Sequence, residues 1–289
     1  MWQEYLFPQT IEEALTMLED SGGRARIIAG GTDLVIETQR GKCLSEVMVD
    51  VTRIPALDFL EERDGWIHIG PQVTHGQVAA SPLVRERAGL LAEACGKVGG
   101  PQLRRIATLV GNVVNAMPAA DGAVALFALG AELEVTDRLG GRWVPIAELY
   151  EGVGACRMNP CYQFITAIRF PPLPQDAGWA FMRLVQRKAN VLPILNSAIV
   201  IRLKNDRFTQ ARIFVSPVAQ IPLRASQAEE ILVGASADDE TIAQSARLAQ
   251  EAANPRDSAI RGSNVYRKAM VEVLVRRGLQ EAVAMAQGR

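Results

Sequence analysis

Three observations predict an α/β protein built from two or three compact lobes, the last of them a separate α+β lobe. The first part of the chain alternates helix and strand patterns around a glycine turn, its last third places strands ahead of helices, and the run Phe170-Pro171-Pro172-Leu173-Pro174 stiffens the boundary between the two regions. At 289 residues the chain exceeds one minimal domain. Its 48% hydrophobic and 22% charged residues match a globular protein and exclude wholesale disorder.

In the first lobe, Thr10 to Asp20 reads as a helix. Thr10 is suited to cap it, and Ile11, Leu15 and Leu18 recur at helical spacing. Ser21-Gly22-Gly23 stops it. Arg26 to Ala29 then reads as a buried strand running into Gly30-Gly31-Thr32-Asp33, after which Leu34-Val35-Ile36 resumes the apolar pattern and Val47 to Val51 supplies a second strand. The unit has about the size a crossover needs.

A new lobe is expected near Pro55. Trp66 to Ile69 alternates as a strand, and Gly76 to Lys97 reads as one long helix ended by Gly99-Gly100-Pro101. Ala107 to Asn115 is expected as a strand interrupted by glycine, and Asp121 to Leu129 as an apolar helix. Further strands are expected at Ala131 to Val135, Arg142 to Ile146 and Phe164 to Phe170. Beyond the prolines, Asn196 to Leu203 and Thr209 to Val215 read as an antiparallel pair, followed by helices at about 226–233, 238–253 and 263–285. The implied division is 1–55, 56–175 and 176–289.

The 31 Lys and Arg residues against 32 Asp and Glu give a formal net charge of −1, which offers no broad attraction to nucleic acid or to an anionic membrane. With two histidines in the whole sequence, a histidine-rich metal site is excluded. Cys43, Cys95, Cys156 and Cys161 are scattered, and the C-x4-C of the last two is not zinc-ribbon spacing, so free thiols are expected. No apolar run approaches the ~20 residues needed to cross a bilayer. Met1 to Thr10 carries acid and proline rather than a basic stretch before an apolar core, so no secretory signal is read there. A soluble, cytoplasmic protein is expected.

Two glycine-bearing segments carry the functional argument: Ala29-Gly30-Gly31-Thr32-Asp33 and Thr108-Leu109-Val110-Gly111-Asn112. Glycine lets a backbone approach a phosphate closely, and adjacent main-chain N–H groups form an anion-binding nest. Thr32, Thr108 and Asn112 would add side-chain hydrogen bonds. Two such segments on separate lobes suit a diphosphate in an interdomain cleft; the same residues also suit tight turns or bulges. No G-x-G-x-x-G, P-loop or G-x-S-x-G signature occurs. His68 reads as a structural residue on a strand, His75 as a surface or capping residue, and the basic run Arg183 to Lys188 as a solvated face without base-stacking aromatics.

The motif order resembles the FAD-binding subunits of the molybdenum hydroxylases, the family of xanthine, carbon monoxide and nicotinate dehydrogenases. Tyr5-Leu6-Phe7-Pro8 precedes Ile11 to Leu15; Ile27 to Leu34 matches the first FAD motif; Pro101 to Arg104 leads to Thr108 to Asn112, the second. Asn115 to Asp121, Leu129-Gly130-Ala131, Arg261-Gly262-Ser263, Tyr266-Arg267 and Leu274 to Arg277 follow in the family's order. The resemblance implies a two-lobed FAD-binding fold of the vanillyl-alcohol-oxidase/PCMH type plus a C-terminal α+β domain of antiparallel sheet and helices.

It further implies FAD contacts at Ile27, Ile28, Ala29, Gly30, Gly31, Thr32, Asp33 and Leu34, and at Val98, Thr108, Val110, Gly111, Asn112, Asp121, Ile165 and Arg183. The pyrophosphate would lie against the 27–34 loop, Asp121 would bond sugar or ribityl hydroxyls, and Val98 and Ile165 would wall the ring. No catalytic acid–base pair and no metal ligand is expected in this chain, since the cofactor carries the chemistry. A large molybdopterin-binding subunit and a small [2Fe–2S] subunit are the implied partners, with electrons leaving FAD for NAD+; nucleic acid and membrane are not. The four cysteines lack cluster-ligand spacing. The Asn115 to Asp121 stretch and Trp143-Val144-Pro145-Ile146 look closest to bacterial xanthine dehydrogenase-type subunits.

Two departures stand out. The family usually has glycine where this chain has Val110, and valine disfavours positive φ, so the loop is expected to use an ordinary β conformation or to be displaced. An acid is common where this chain has Asn190, within Gln186 to Val191, so charge near the flavin and the preferred acceptor are expected to differ. The alternatives are a flavin-free scaffold or assembly subunit, motivated by Val110, and a stand-alone FAD oxidoreductase such as a cell-wall precursor reductase, for which the expected catalytic Ser or Cys and acid lack motif support.

Overall fold

The computed structural model of the chain describes residues 2–43, 45–187 and 190–288. Lys188 and Ala189, within the basic run and the Gln186 to Val191 segment, lie outside the described residues.

The N-terminal part contains β1 (Glu4–Leu6), α1 (Ile11–Asp20), β2 (Ala25–Ile28), α2 (Leu34–Gln39) and β3 (Val47–Asp50). The Thr10 hydroxyl accepts from the Glu13 N–H and starts α1 as expected. The strands form a parallel three-stranded sheet in the order β1-β3-β2. Ala14, Leu15 and Leu18 of α1 share a core with Ala25, Val47 and Val49. Because the strands are parallel, β2 releases the Ala29 to Asp33 loop at their carboxyl edge, where open α/β sheets leave a crevice.

The central part contains β4 (Leu60–Arg63), β5 (Trp66–Ile69), α3 (His75–Ala80), α4 (Pro82–Arg87), α5 (Gly89–Lys97), α6 (Pro101–Arg104), α7 (Leu109–Val114), α8 (Asp121–Leu129), β6 (Glu132–Asp137), β7 (Gly140–Pro145), α9 (Ile146–Leu149), β8 (Tyr150–Gly152), β9 (Ala155–Cys156) and β10 (Phe164–Phe170). Its antiparallel sheet runs β4-β5-β10-β6-β7. Ile67, Ile69, Leu133, Val135 and Ile168 face a core shared with Leu91, Leu109, Leu126 and Phe127 from the helices.

Two expectations fail here for local reasons. The single helix expected over 76–97 is three helices. Pro82 has no amide hydrogen to continue α3, and its fixed φ suits the first position of α4, which Ser81 caps. The strand expected at Ala107 to Asn115 is mostly α7. Thr108 accepts from the Gly111 N–H and so opens a helical turn, and Leu109, Val110 and Val113 form its buried side. Valine-rich composition favoured a strand, but the cap and core packing decide for helix.

Beyond 171–174 lie β11 (Ala177–Leu184), β12 (Leu195–Lys204), β13 (Arg207–Ser216), β14 (Leu223–Arg224), α10 (Ser226–Leu232), α11 (Asp239–Ala252) and α12 (Asn264–Ala286). The antiparallel order is β11-β12-β13-β14. Side chains alternate between the sheet's two faces. Ala180, Ile199, Ile213 and Val215 pack with Ile242, Ala246, Leu274 and Leu279 of the helices. Phe181, Ala198 and Phe214 point the other way and join the central core. This sheet is therefore buried on both sides where it docks on α8.

Candidate functional site

The first glycine turn is a row of unused donors. Among the described residues, the main-chain N–H groups of Gly30, Gly31, Thr32, Asp33 and Leu34 have no protein acceptor; the first bond closing α2 runs from the Val35 N–H to the Gly31 carbonyl at 3.0 Å. Gly31 has φ of 63°, the left-handed conformation that turns successive amides inward. At Gly30 an added Cβ would overlap the Ile106 carbonyl oxygen and crowd Ala107, so this turn is pressed against the approach to the second motif. The donors fit an anionic diphosphate.

The second motif faces the first. Leu109 N–H bonds the Val73 carbonyl at 3.1 Å, and the Thr108 hydroxyl accepts from Gly111 N–H at 3.1 Å. Asn112 Oδ1 accepts from the Ala123 N–H at 3.2 Å, tying α7 to α8. Asn115, just past α7, lies close enough to the Asp33 carboxyl to influence its titration, so the two motifs approach each other here as well. Burial raises the Asp33 pKa, and the nearby Asn115 side chain partly offsets the rise. Gln72 Nε2 bonds the Val51 and Ile54 carbonyls at 2.8 and 2.6 Å, and Arg138 pairs with Glu19 at 3.1 Å; these further fix the two lobes around the cleft.

Not every expected contact residue faces that cleft. Val110 is 6% exposed and Ile165 2%, and both side chains belong to the central core. Val110 is helical rather than in a β conformation, so its replacement of glycine requires no positive φ. Val98, half-buried at the end of α5, remains accessible. Thr108 is also buried and committed to its cap.

Asp121 and Arg183 meet each other. Arg183 Nη2 lies 3.1 Å from Asp121 Oδ2, with side-chain exposures of 10% and 5%. The same guanidinium donates to the Lys97 carbonyl at 3.0 Å and the Val191 carbonyl at 2.9 Å. Asn196 Nδ2 donates to Asp121 Oδ1 at 2.7 Å. Burial raises the Asp121 pKa to about 6 despite the opposing pull of Arg183 and Asn196. Arg183 is thus no solvated charge. Asn190 has φ of 50° and its side chain lies against Gly100, while Arg187 Nε donates to its carbonyl at 3.1 Å.

His75 corrects its surface reading: it is 0% exposed at the start of α3, and Thr74 performs the capping. Burial, aided by Arg104, lowers its pKa to about 4. His68 is buried on β5, as a structural reading requires. The four cysteines are free, and no group of three or more His, Cys, Asp or Glu among the described residues could hold a metal ion. No helix among the described residues is long and apolar enough to cross a membrane.

Residues 2–173 match the family model for the FAD binding domain in molybdopterin dehydrogenase, and residues 180–282 match that for the CO dehydrogenase flavoprotein C-terminal domain. The chain belongs to the FAD-binding subunits of the molybdenum hydroxylases. Like other members, it is a flavoprotein subunit of an oxidoreductase. It is 28% identical to the xanthine dehydrogenase FAD-binding subunit of Escherichia coli O157:H7, over 97% of this chain and 96% of that one. Identity to the nicotine 6-hydroxylase medium subunit of Paenarthrobacter nicotinovorans is 30%, over 97% of each. The solved carbon monoxide dehydrogenase of Hydrogenophaga pseudoflava superposes with a TM-score of 0.94 at 28% identity, covering 99% of this chain and 98% of that one. The resemblance and the two-lobed fold read from the motif order are thereby established.

Asn196 and Asn115 were given no role by sequence reasoning. Asn115 carried a signal, since it opens the Asn115 to Asp121 stretch. Asn196 carried none, because its importance follows from strand register.

Proposed function

We propose that this chain is the electron-exit subunit of a molybdenum hydroxylase complex, holding FAD between the Gly30 to Leu34 turn and the segment from Val98 to Asn115. The row of unpaired amides at Gly30 to Leu34 carries this reading, because it answers a diphosphate and little else in the cleft does. Ile27, Ile28 and Ala29 deliver that turn, Thr32 and Asp33 line it, and Gly111 and Asn112 approach from the other lobe. Val98 offers an aliphatic wall. Asp121, Ile165 and Val110 are buried, and their part is to hold the surrounding backbone. The division 1–55, 56–175 and 176–289 separates the two cofactor lobes from the domain behind them.

When bound, FAD supplies conversion between single-electron and two-electron transfer. Electrons would arrive from the [2Fe–2S] clusters of a small partner subunit, substrate oxidation would take place on a large molybdopterin subunit, and NAD+ is the proposed acceptor. A cytoplasmic location suits these partners. The xanthine-type assignment rests on the motif likeness at Asn115 to Asp121; the named relatives, at 28% and 30% identity, span more than one substrate class. With Val110 accommodated in a helix, the motive for a flavin-free scaffold disappears.

The test is the visible spectrum of the purified chain, followed by acid release and chromatography of the chromophore. Released FAD, and NAD+ reduction by the assembled complex with its substrate, are the expected results. A colourless chain that takes up no added FAD would overturn the reading.

A further inference from the structure

A polar row crosses the C-terminal sheet where it meets the cofactor lobes. Strand register places Arg183 of β11 opposite Asn196 of β12, and Asn196 opposite Ser216 of β13. Directly opposed residues share a face of the sheet, and all three reach the segment leading into α8. Arg183 and Asn196 take the two oxygens of Asp121, while the Ser216 hydroxyl donates to the Pro118 carbonyl. Next to this row on the same face, Phe181, Ala198 and Phe214 pack into the central core.

The segment so gripped is the one that holds the second cofactor motif. Asp121 is the first residue of α8. Two residues later the Ala123 N–H donates to Asn112 Oδ1 of the second motif, and at the other end of the same connection Asn115 stands near the Asp33 carboxyl of the first glycine turn. Displacing the start of α8 therefore disturbs the bond that ties Asn112 of the second motif to α8. Asn196 itself is fully buried, so no cofactor in the cleft can touch it. Any influence it has on the flavin must pass through Asp121.

We propose that Asn196 is a positioning residue for the flavin site: together with Arg183 it fixes Asp121, and through the start of α8 it sets Asn112 and the second cofactor motif. The inference rests on the FAD reading above. The docking of the C-terminal domain is on this account part of how the cofactor cleft gets its shape. A carboxylate stripped of one donor in a buried site must find another partner or move, and such bonds to a charged group are among the stronger ones.

The experiment compares Asn196→Ala with Ser245→Ala in the full chain. Ser245 is equally buried in the same domain, but its hydroxyl bonds the Ala228 carbonyl within the helical layer, away from α8. For each protein, the unfolding midpoint, the FAD dissociation constant from flavin fluorescence, and the spectrum and reduction potential of bound flavin are measured. Asn196→Ala is expected to weaken FAD about tenfold or more and to alter the bound-flavin spectrum and potential. Ser245→Ala is expected to lower the midpoint alone. Should Asn196→Ala fail to fold, Asn196→Ser, which keeps one donor, takes its place in the same comparison. Unchanged FAD affinity, spectrum and potential in the Asn196 variant would overturn the proposal, as would equal flavin effects from Ser245→Ala. Failure of the wild-type chain itself to bind FAD would instead remove the cofactor reading, and the inference with it.

Discussion

Gly30 and the Ile106 carbonyl touch across the two cofactor lobes with no room for a side chain between them. The contact sets how closely the amides of the first turn approach the second motif. Gly30→Ala must push the lobes apart or distort the turn, and overpacking of this kind costs about 1–3 kcal/mol. The expected outcome is a lower unfolding midpoint together with weaker FAD binding by fluorescence titration. Gly96→Ala in α5 is the contrast: its Cβ would meet only Ala79 of α3, at an ordinary 3.9 Å. Removing a helical glycine there should stabilise by up to about 1 kcal/mol and leave FAD affinity alone.

Val110 was the residue whose mismatch with the family motif raised doubt about flavin binding, and its helical, core-packed position reverses the argument. Restoring glycine by Val110→Gly should not improve the site. It removes a buried side chain and adds a flexible residue inside α7, which together should cost about 2–3 kcal/mol in urea unfolding. FAD affinity should stay level or fall. A variant that binds FAD more tightly than wild type would show that the loop had been waiting for a glycine after all.

The ease with which parts of this fold were read follows the range of the interactions that fix them. The Gly30-Gly31 turn, the Thr10 cap and the hairpin of β12 and β13 are set by neighbouring residues, and local pattern finds them. The α7 helix is different: Leu109, Val110, Val113 and Val114 favour a strand by propensity, and only the Thr108 cap and burial against α8 turn them helical. His75 sits beside a turn in sequence yet is fully buried against Gly122 of α8, so its surface reading failed. Asn196 is the extreme case. Its partner lies 75 residues away in another domain, and nothing in the spacing of Asp121 and Asn196 announces the bond.

Thr108 bears the helix start that the valines alone would not specify. Thr108→Ala leaves the Gly111 N–H without its acceptor, a loss of about 1 kcal/mol for an N-cap. Thr108→Ser keeps the hydroxyl and should lie close to wild type. Chemical unfolding of the pair separates the cap from any effect of side-chain volume. Equal losses in both variants would contradict the capping role.

The pH dependence of stability should carry two opposed signatures from the same region. His75 is held below its ordinary pKa, at about 4, by burial and then by Arg104. Its contribution is present above the unfolded value of 6.5 and is lost as pH falls towards 4; the shift corresponds to roughly 3 kcal/mol. Asp121 is raised to about 6 by burial, so its contribution is full below the unfolded value of 3.8 and is lost as pH rises through about 6. Between pH 4 and 6 the two partly cancel. His75→Leu should therefore remove the acid loss and leave stability rising as pH falls through this window. Asp121→Asn should steepen the acid loss. Unfolding free energies of wild type and both variants, measured across this range, check the assignment: parallel profiles for wild type and His75→Leu would mean that the buried imidazole is not what the acid limb reports.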